Sequence, residues 1–165
     1  MKKITTLLFL AIILSFLCSC GFSGILPPSD RSKANEVLDD LIVALENDDK
    51  DTIKSMFAPD LLKKSSQIDK EIEEAIDFFD GTIISYEGVG TPASGEEWRD
   101  GELTYLRIGS AYTESIITEN HTYELSFSAV LVNKKKTTQE GVWRIWIGKE
   151  DGTFVKIGSD DYDFN

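Results

Sequence analysis

Apolar and polar residues alternate between His121 and Val132, which predicts a strand with one buried and one mostly polar face. The apolar positions are Tyr123, Leu125, Phe127, Ala129 and Leu131. A second aromatic strand, from Val142 to Ile147, follows after a polar turn over Lys134 to Gly141. We expect the two strands to form the middle of an antiparallel sheet whose apolar face needs a cover.

Helical periodicity earlier in the chain predicts that cover. Ser29 or Asp30 can cap a first helix, and residues 47–49 break it and offer a cap for a second, from Thr52 to Phe57. Pro59 closes this piece, and a single turn follows it. The apolar stripe of the first helix consists of Ala34, Val37, Leu38, Leu41, Ile42 and Leu45.

A third helix is expected after Ser66-x-x-Asp69, which resembles a capping box, and Gly81 is expected at its end, in the position that follows a helix. Its apolar side would carry Ile68, Ile72, Ala75, Ile76 and Phe79.

The remaining strands come after the helices. We expect a short strand at Thr82 to Glu87, a long loop from Gly88 to Glu102, and strands at Leu103 to Ala111 and Ser115 to Thr118 with a break between them. Asp151-Gly152 is a hairpin signal before a last strand that ends at Ile157. Helices first and strands after predict an α+β fold with the helices on one face of an antiparallel sheet.

The amino terminus predicts the compartment. A basic Met1-Lys2-Lys3 precedes an apolar run from Leu7 to Leu17, which is the pattern of a secretory signal. The residues around Cys20 resemble a bacterial lipoprotein signal, because an aliphatic residue lies three positions before it and a glycine follows. The resemblance implies cleavage before Cys20 and a lipid on its sulfur; an ordinary cleaved signal or a retained anchor are the alternatives.

These signals divide the chain into a signal peptide at residues 1–19, a lipidated Cys20 with a short tether to residue 29, one α+β domain at 30–158 and an acidic tail at 159–165. The formal charge of the chain is −12. Removal of Lys2 and Lys3 with the signal reduces the 17 basic residues to 15 against 29 acidic ones, which gives −14. This acidity argues against binding to nucleic acid or to anionic lipid headgroups.

Three stretches resemble a known family. Leu41 to Phe57, Asp77 to Glu87 and Gly141 to Gly158 are similar to parts of a bacterial lipoprotein family of unknown function with a nuclear-transport-factor-2-like, cystatin-like domain. The resemblance implies a long helix lying in a curved sheet, with a cone-shaped cavity that enzymes, binding proteins and dimer scaffolds all use. Such a fold does not select a function.

Candidate catalytic residues are few. His121 is the only histidine, and both cysteines, Cys18 and Cys20, precede the domain. Glu124 lies opposite the apolar residues of its strand and is expected to point outward. We therefore predict no catalytic residue, no cofactor and no metal site, since each would need several such groups together.

The aromatic residues are the remaining candidates. Tyr123, Phe127 and Trp143 share the phase of the apolar face and either fill the core or line a ligand cavity. Trp146 has the opposite phase and marks a candidate interface on the outer face, where a second copy of the chain would bind. The loop from Gly88 to Glu102, through Trp98, is the rival cover. The candidate interface comprises Val130, Val132, Val142 and Trp146.

The sequence thus predicts a lipoprotein anchored in the bacterial cell membrane through Cys20 and facing away from the cytoplasm. We expect a non-catalytic module that binds a protein or a small molecule. The alternative is a small cavity enzyme, such as an isomerase or dehydratase, which would need a titratable residue pointing into the cavity.

Overall fold

The computed structural model of the chain describes residues 29–159. The predicted signal, Cys20 with its tether up to residue 28, and the acidic tail from residue 160 onward lie outside the described residues. Within residues 29–159, four α-helices precede six antiparallel strands that form one curved, open sheet, and the α+β prediction is confirmed. None of these helices combines the length and the apolar character needed to cross a membrane.

The first two helices are capped by residues that the sequence indicates. Helix α1 (Asp30–Glu46) starts where the Ser29 hydroxyl accepts a hydrogen bond from the Ser32 N–H. Helix α2 (Lys50–Ser55) is capped by Asp49, whose carboxylate accepts from the Thr52 N–H at 3.0 Å. Helix α3 (Pro59–Lys64) begins at a proline. The N–H groups of a first turn have no partner within the helix, so a residue without an N–H loses no hydrogen bond there. The sequence predicted only a single turn there.

Helix α4 (Ile68–Phe78) has the predicted apolar side but not the predicted capping box. Gln67 occupies the cap position without a side-chain hydrogen bond. The carboxylate of Asp69 instead contacts the Lys54 ammonium of α2 at 2.6 Å, so an ion pair between helices replaces the local cap.

The end of α4 also differs from the prediction. The helix ends at Phe78, and Gly81, with a φ of +92°, lies further along than the position that follows a helix. A contact with the sheet explains the early end: the Tyr123 hydroxyl accepts the Asp80 N–H at 2.7 Å, and the Tyr123 ring stacks on Phe79.

The sheet has β3 and β4 at its centre. Its order is β1-β3-β4-β5-β6, and β2 pairs with the other part of the long β3, on the same side as β1. The strands are β1 (Ile83–Tyr86), β2 (Ala93–Arg99), β3 (Glu102–Thr118), β4 (Thr122–Asn133), β5 (Gly141–Lys149) and β6 (Phe154–Gly158).

Two predictions about this sheet are wrong. The expected loop over residues 88–102 contains strand β2, which carries no period of two because all seven of its residues are exposed. The expected break near Tyr112 is an irregularity within one continuous strand, since the pairing of β3 with β4 shifts between Ile108 and Ala111 and between Thr113 and Ile116. Such bulges change the phase of a strand without ending it.

Helix α1 is held beside the β1 and β2 edge of the sheet by polar contacts to the backbone. The Val89 N–H donates to Asn35 Oδ1 at 2.8 Å, and the Val89 carbonyl accepts from Arg31 Nε at 2.9 Å. At the other end of α1, the Glu46 carboxylate accepts the Ile83 N–H. Both ends of the helix are therefore fixed to the chain segment that leads into β1 and β2.

The helical layer also joins the sheet directly at the start of β5. The Val142 N–H donates to the Met56 carbonyl at 2.7 Å, and the Ala58 N–H donates to the Val142 carbonyl at 3.0 Å. These bonds form an isolated parallel bridge between Phe57 and Val142. Gly141 permits the approach, because a Cβ atom there would lie 2.6 Å from the Ala58 nitrogen.

Replacing Gly141 with Ala should destabilise the protein by more than about 3 kcal/mol, because the new methyl group would collide with backbone atoms. The free energy of unfolding, measured by urea denaturation, tests this. Gly152→Ala is the matched control: Gly152 also has a positive φ, +84°, but nothing lies within 4 Å of its Cβ position. The control should cost about 1–2 kcal/mol. Equal losses for the two variants would contradict the importance of this bridge.

Candidate binding site

A pocket of about 590 Å³ lies at the end of the sheet where β3 begins and β4 ends. This volume is in the range of sites for small molecules. Strands β2, β3 and β4 and the connection between β4 and β5 supply its walls. The lining residues are Glu97, Thr104, Tyr105, Arg107, Asn133, Lys135, Lys136 and Gln139.

A row of paired residues across three strands forms one wall of the pocket. Glu97 of β2 is the register partner of Tyr105 in β3, and Tyr105 is the partner of Asn133 in β4. Directly opposed residues share a face of the sheet, so these three side chains lie next to one another. The sheet therefore fixes the spacing between a carboxylate, a phenol and an amide.

The connection between β4 and β5 is held by hydrogen bonds to its own strands. Asn133, which is buried, donates from Nδ2 to Gln139 Oε1 at 3.0 Å and accepts the Lys136 N–H at Oδ1. The Asn133 N–H donates to the Glu140 carboxylate, and Trp143 Nε1 donates to the Gln139 carbonyl at 2.9 Å. Because a short 3₁₀ turn, Thr137–Gln139, closes the loop, the two pocket lysines project from a fixed backbone.

The two lysines of the pocket are only loosely paired. Lys135 Nζ lies 3.9 Å from the Glu97 carboxylate and Lys136 Nζ lies 3.5 Å from Asp60. Charge-assisted hydrogen bonds are about 2.7–2.9 Å long, so neither contact is a hydrogen bond. The pKa of the Tyr105 hydroxyl is raised by burial, against the opposing effect of Arg107, and Tyr105 therefore stays protonated as a donor at neutral pH.

The aromatic residues expected to fill the core or line a cavity are all buried in the core cluster that the helices and the sheet share. Tyr123 and Phe127 are fully buried, and Trp143 is 1% exposed. The Tyr123 hydroxyl donates to the Phe78 carbonyl at 3.1 Å. None of the three lines the pocket described above, whose aromatic residue is Tyr105.

The candidate interface residues do not share one face. Val130 and Val142 lie in the core cluster. The prediction that they lie on the outer face of the sheet is therefore wrong. The cause is a pair of irregularities in the pairing of β4, one with β3 near Leu106 and one with β5 at Ser128, since each changes which side a residue faces. Val132 is half-buried opposite Leu106.

Trp146 is half-buried, and its indole crosses Gly148 towards Phe154, with 5.8 Å between the ring centroids. The register places it far from Trp98, the residue of the rival cover. Trp98 pairs with Leu103, whereas Trp146 pairs with Ser126 and, through it, with Tyr112. Nine positions of β3 separate the two pairings, so Trp98 does not cover Trp146.

The two residues considered for acid–base chemistry both have structural partners. His121 Nδ1 lies 3.6 Å from the Glu150 carboxylate, which also accepts the Thr122 N–H. Hydrogen bonds from backbone N–H groups lower the pKa of Glu150, and His121 adds to the effect. Glu124 accepts a hydrogen bond from Tyr112 at 2.6 Å, which raises the pKa of Tyr112 to about 12. Within residues 29–159, no three His, Cys, Asp or Glu side chains come together as a metal-binding group.

Sequence reasoning missed the residues that line the pocket. Tyr105 and Arg107 belong to a strand that was predicted from its apolar positions, and Asn133 follows the alternating residues of the next strand. One signal was available: Lys134, Lys135 and Lys136 form the one run of three consecutive basic residues in a strongly acidic chain. A basic run in a turn between two central strands is placed where a site can form.

Comparison with protein families identifies a family that the chain matches. The profile of a family described as a domain of unknown function (DUF5104) matches residues 40–151. The matched region includes the last seven of the 17 residues of α1, the other helices and every strand but β6. A search of curated proteins gives no match.

Proposed function

We propose that this chain, which belongs to the DUF5104 family, is a non-catalytic binding module anchored by lipid to a bacterial cell membrane and facing away from the cytoplasm. Its ligand would be a small molecule or a segment of a protein. A nuclear-transport-factor-2-like arrangement is part of the proposal, and helices packed on one face of a curved antiparallel sheet support it.

The pocket is the observation that carries the binding function. Its polar side chains converge from three strands and one fixed connection, and rigid placement reduces the entropy lost when a ligand binds. The groups present are an ammonium pair, a guanidinium, a carboxylate, a phenol, a hydroxyl and two amides. They can hold and orient a polar ligand.

The membrane anchor rests on the residues around Cys20. The chain between Cys20 and the capping residue Ser29 spans nine positions, which reach about 30 Å when extended. The domain would thus be held close to the membrane, with the start of α1 nearest to the anchor.

Replacing Cys20 with Ser should abolish lipidation when the full chain is expressed in a bacterial host. Mass spectrometry and fractionation with detergent measure the result. The wild-type chain should partition into the membrane with the added mass of the acyl chains, and the variant should lack that mass. Cys18→Ser is the matched control, because Cys18 lies two positions away and should leave lipidation intact. Lipid retained in the Cys20 variant, or lost from the Cys18 variant, would contradict the anchor.

We also propose a second copy of the chain as the partner of the outer sheet face around Trp146 and Phe154. Phe154 is 60% exposed beside Trp146. In the register, Trp146 pairs with Lys156, and Gly148 pairs with both Phe154 and Glu124. The aromatic pair is therefore flanked by a carboxylate on one side and an ammonium on the other. In a two-fold symmetric dimer, the carboxylate of each copy can face the ammonium of its partner.

Replacing Trp146 with Ala should dissociate this dimer, because the largest apolar side chain of the patch would be lost. Native mass spectrometry of the full chain released from detergent micelles gives the oligomeric state. Trp98→Ala is the control, since Trp98 is 48% exposed at the other edge of the sheet and should leave the dimer intact. A monomeric wild-type chain, or a Trp146 variant that stays dimeric, would refute the proposal.

A further inference from the structure

The charge of the pocket is opposite in sign to the net charge of the chain. The formal charge of the chain is −12, whereas the pocket is lined by Arg107, Lys135 and Lys136 against one carboxylate, that of Glu97. A concave site with low-dielectric walls concentrates the field of its charges. An anion that the rest of the surface repels would therefore be attracted at this place.

The lysines of the pocket can change partners at little cost. Their carboxylate contacts, at 3.9 Å to Glu97 and 3.5 Å to Asp60, are longer than the 2.9 Å between Lys50 and Glu73 or the 2.6 Å between Lys54 and Asp69. Lys135 is also the more exposed of the pocket lysines, with 67% of its side chain accessible. An incoming anion would exchange loose ion pairs for close hydrogen bonds.

The neighbouring groups add donors in a fixed arrangement. Arg107 follows Tyr105 by two positions in β3, and its guanidinium can present two parallel N–H groups to an oxyanion. The Tyr105 phenol can donate a further hydrogen bond to a bound anion. Asn133 and Gln139 bind each other at the base of the connection and hold both lysines near this pair.

We propose that this pocket binds a phosphate group of a small molecule, with Arg107, Lys135 and Lys136 as the charged ligands and Tyr105 as a neutral donor. Three cations and a phenol suit a doubly charged group with several acceptor oxygens better than a single carboxylate. The inference rests on the proposed binding function and specifies the ligand class of the same site.

Titration of the full chain with inorganic pyrophosphate tests the proposal. The isotope-labelled protein is held in micelles of a neutral detergent, and NMR follows the Arg107 Nε–H and the amides of Lys135 and Lys136. These signals should shift in a saturable way, and binding should weaken as sodium chloride is added. The double variant Lys135→Ala/Lys136→Ala should bind at least about tenfold more weakly, because each lysine supplies a charged hydrogen bond.

The matched control is the double variant Lys50→Ala/Lys70→Ala, which removes the same charge from lysines of α2 and α4 that do not line the pocket and whose partners are Glu73 and Glu74. It should keep the affinity of the wild-type chain within about twofold, since a screened interaction at a distance is weak. Equal weakening by both double variants would show a general charge effect and would overturn the phosphate site. No saturable shift with pyrophosphate or with lipid would overturn it as well.

Two further titrations are needed. One distinguishes a lipid from a soluble molecule as the source of the phosphate, and the other separates the ligand class from the binding function itself. Phosphatidic acid, a lipid whose headgroup is a phosphate monoester, is added to the micelles in the first. If a lipid headgroup is the source, it should shift the same signals as pyrophosphate; if the source is a soluble molecule, only pyrophosphate should shift them. Either result supports the site. Glucose and N-acetylalaninamide serve as neutral probes. Saturable shifts in the pocket with a neutral probe but not with phosphate would overturn the ligand class and leave the binding function standing.

Discussion

The backbone bridge between the helical connection and the start of β5 is the contact on which the other features depend. Val142 exchanges two hydrogen bonds with Met56 and Ala58, and Gly141 leaves room for them. This bridge fixes where β5 begins, and therefore where the connection from β4 must end. It also brings α3 beside that connection, which places Asp60 near Lys136. Buried backbone N–H and C=O groups need hydrogen-bond partners, so breaking this bridge would be costly. The bridge therefore holds the site in place.

The pocket follows from that constraint together with the pairing of β2, β3 and β4. The sheet spaces Glu97, Tyr105 and Asn133, and the connection adds the lysines. The amides of Asn133 and Gln139 are fixed by a hydrogen bond to each other, while the two lysines rest in long ion pairs. A rigid backbone that carries lysines in long ion pairs is suited to binding and release of an anion. The proposed lipid on Cys20 would hold this site near the membrane surface.

The elements with a buried face could be predicted from the sequence, and those without one could not. The stripe of α1 and the alternation of β4 reflect burial on one side, which leaves a period in the sequence. Strand β2 is exposed on both faces, so no period marks it. Val130 and Val142 were assigned to the wrong face because bulges shift the phase of a strand, and no local signal announces them. The pocket combines residues of three strands, and their proximity depends on register, which sequence patterns of single strands do not contain.

Hydrogen exchange at the connection between β4 and β5 tests most directly whether the pocket is preformed. If the pocket is preformed, the amides of Asn133 and Lys136, which donate to Glu140 and to the Asn133 side chain, should exchange at least about a hundredfold more slowly than in an unstructured peptide, without any ligand present. The indole N–H of Trp143, bound to the Gln139 carbonyl, should be protected as well. Exchange of all three at the rate of an unstructured peptide would contradict the account, because the lysines would then lack a fixed support.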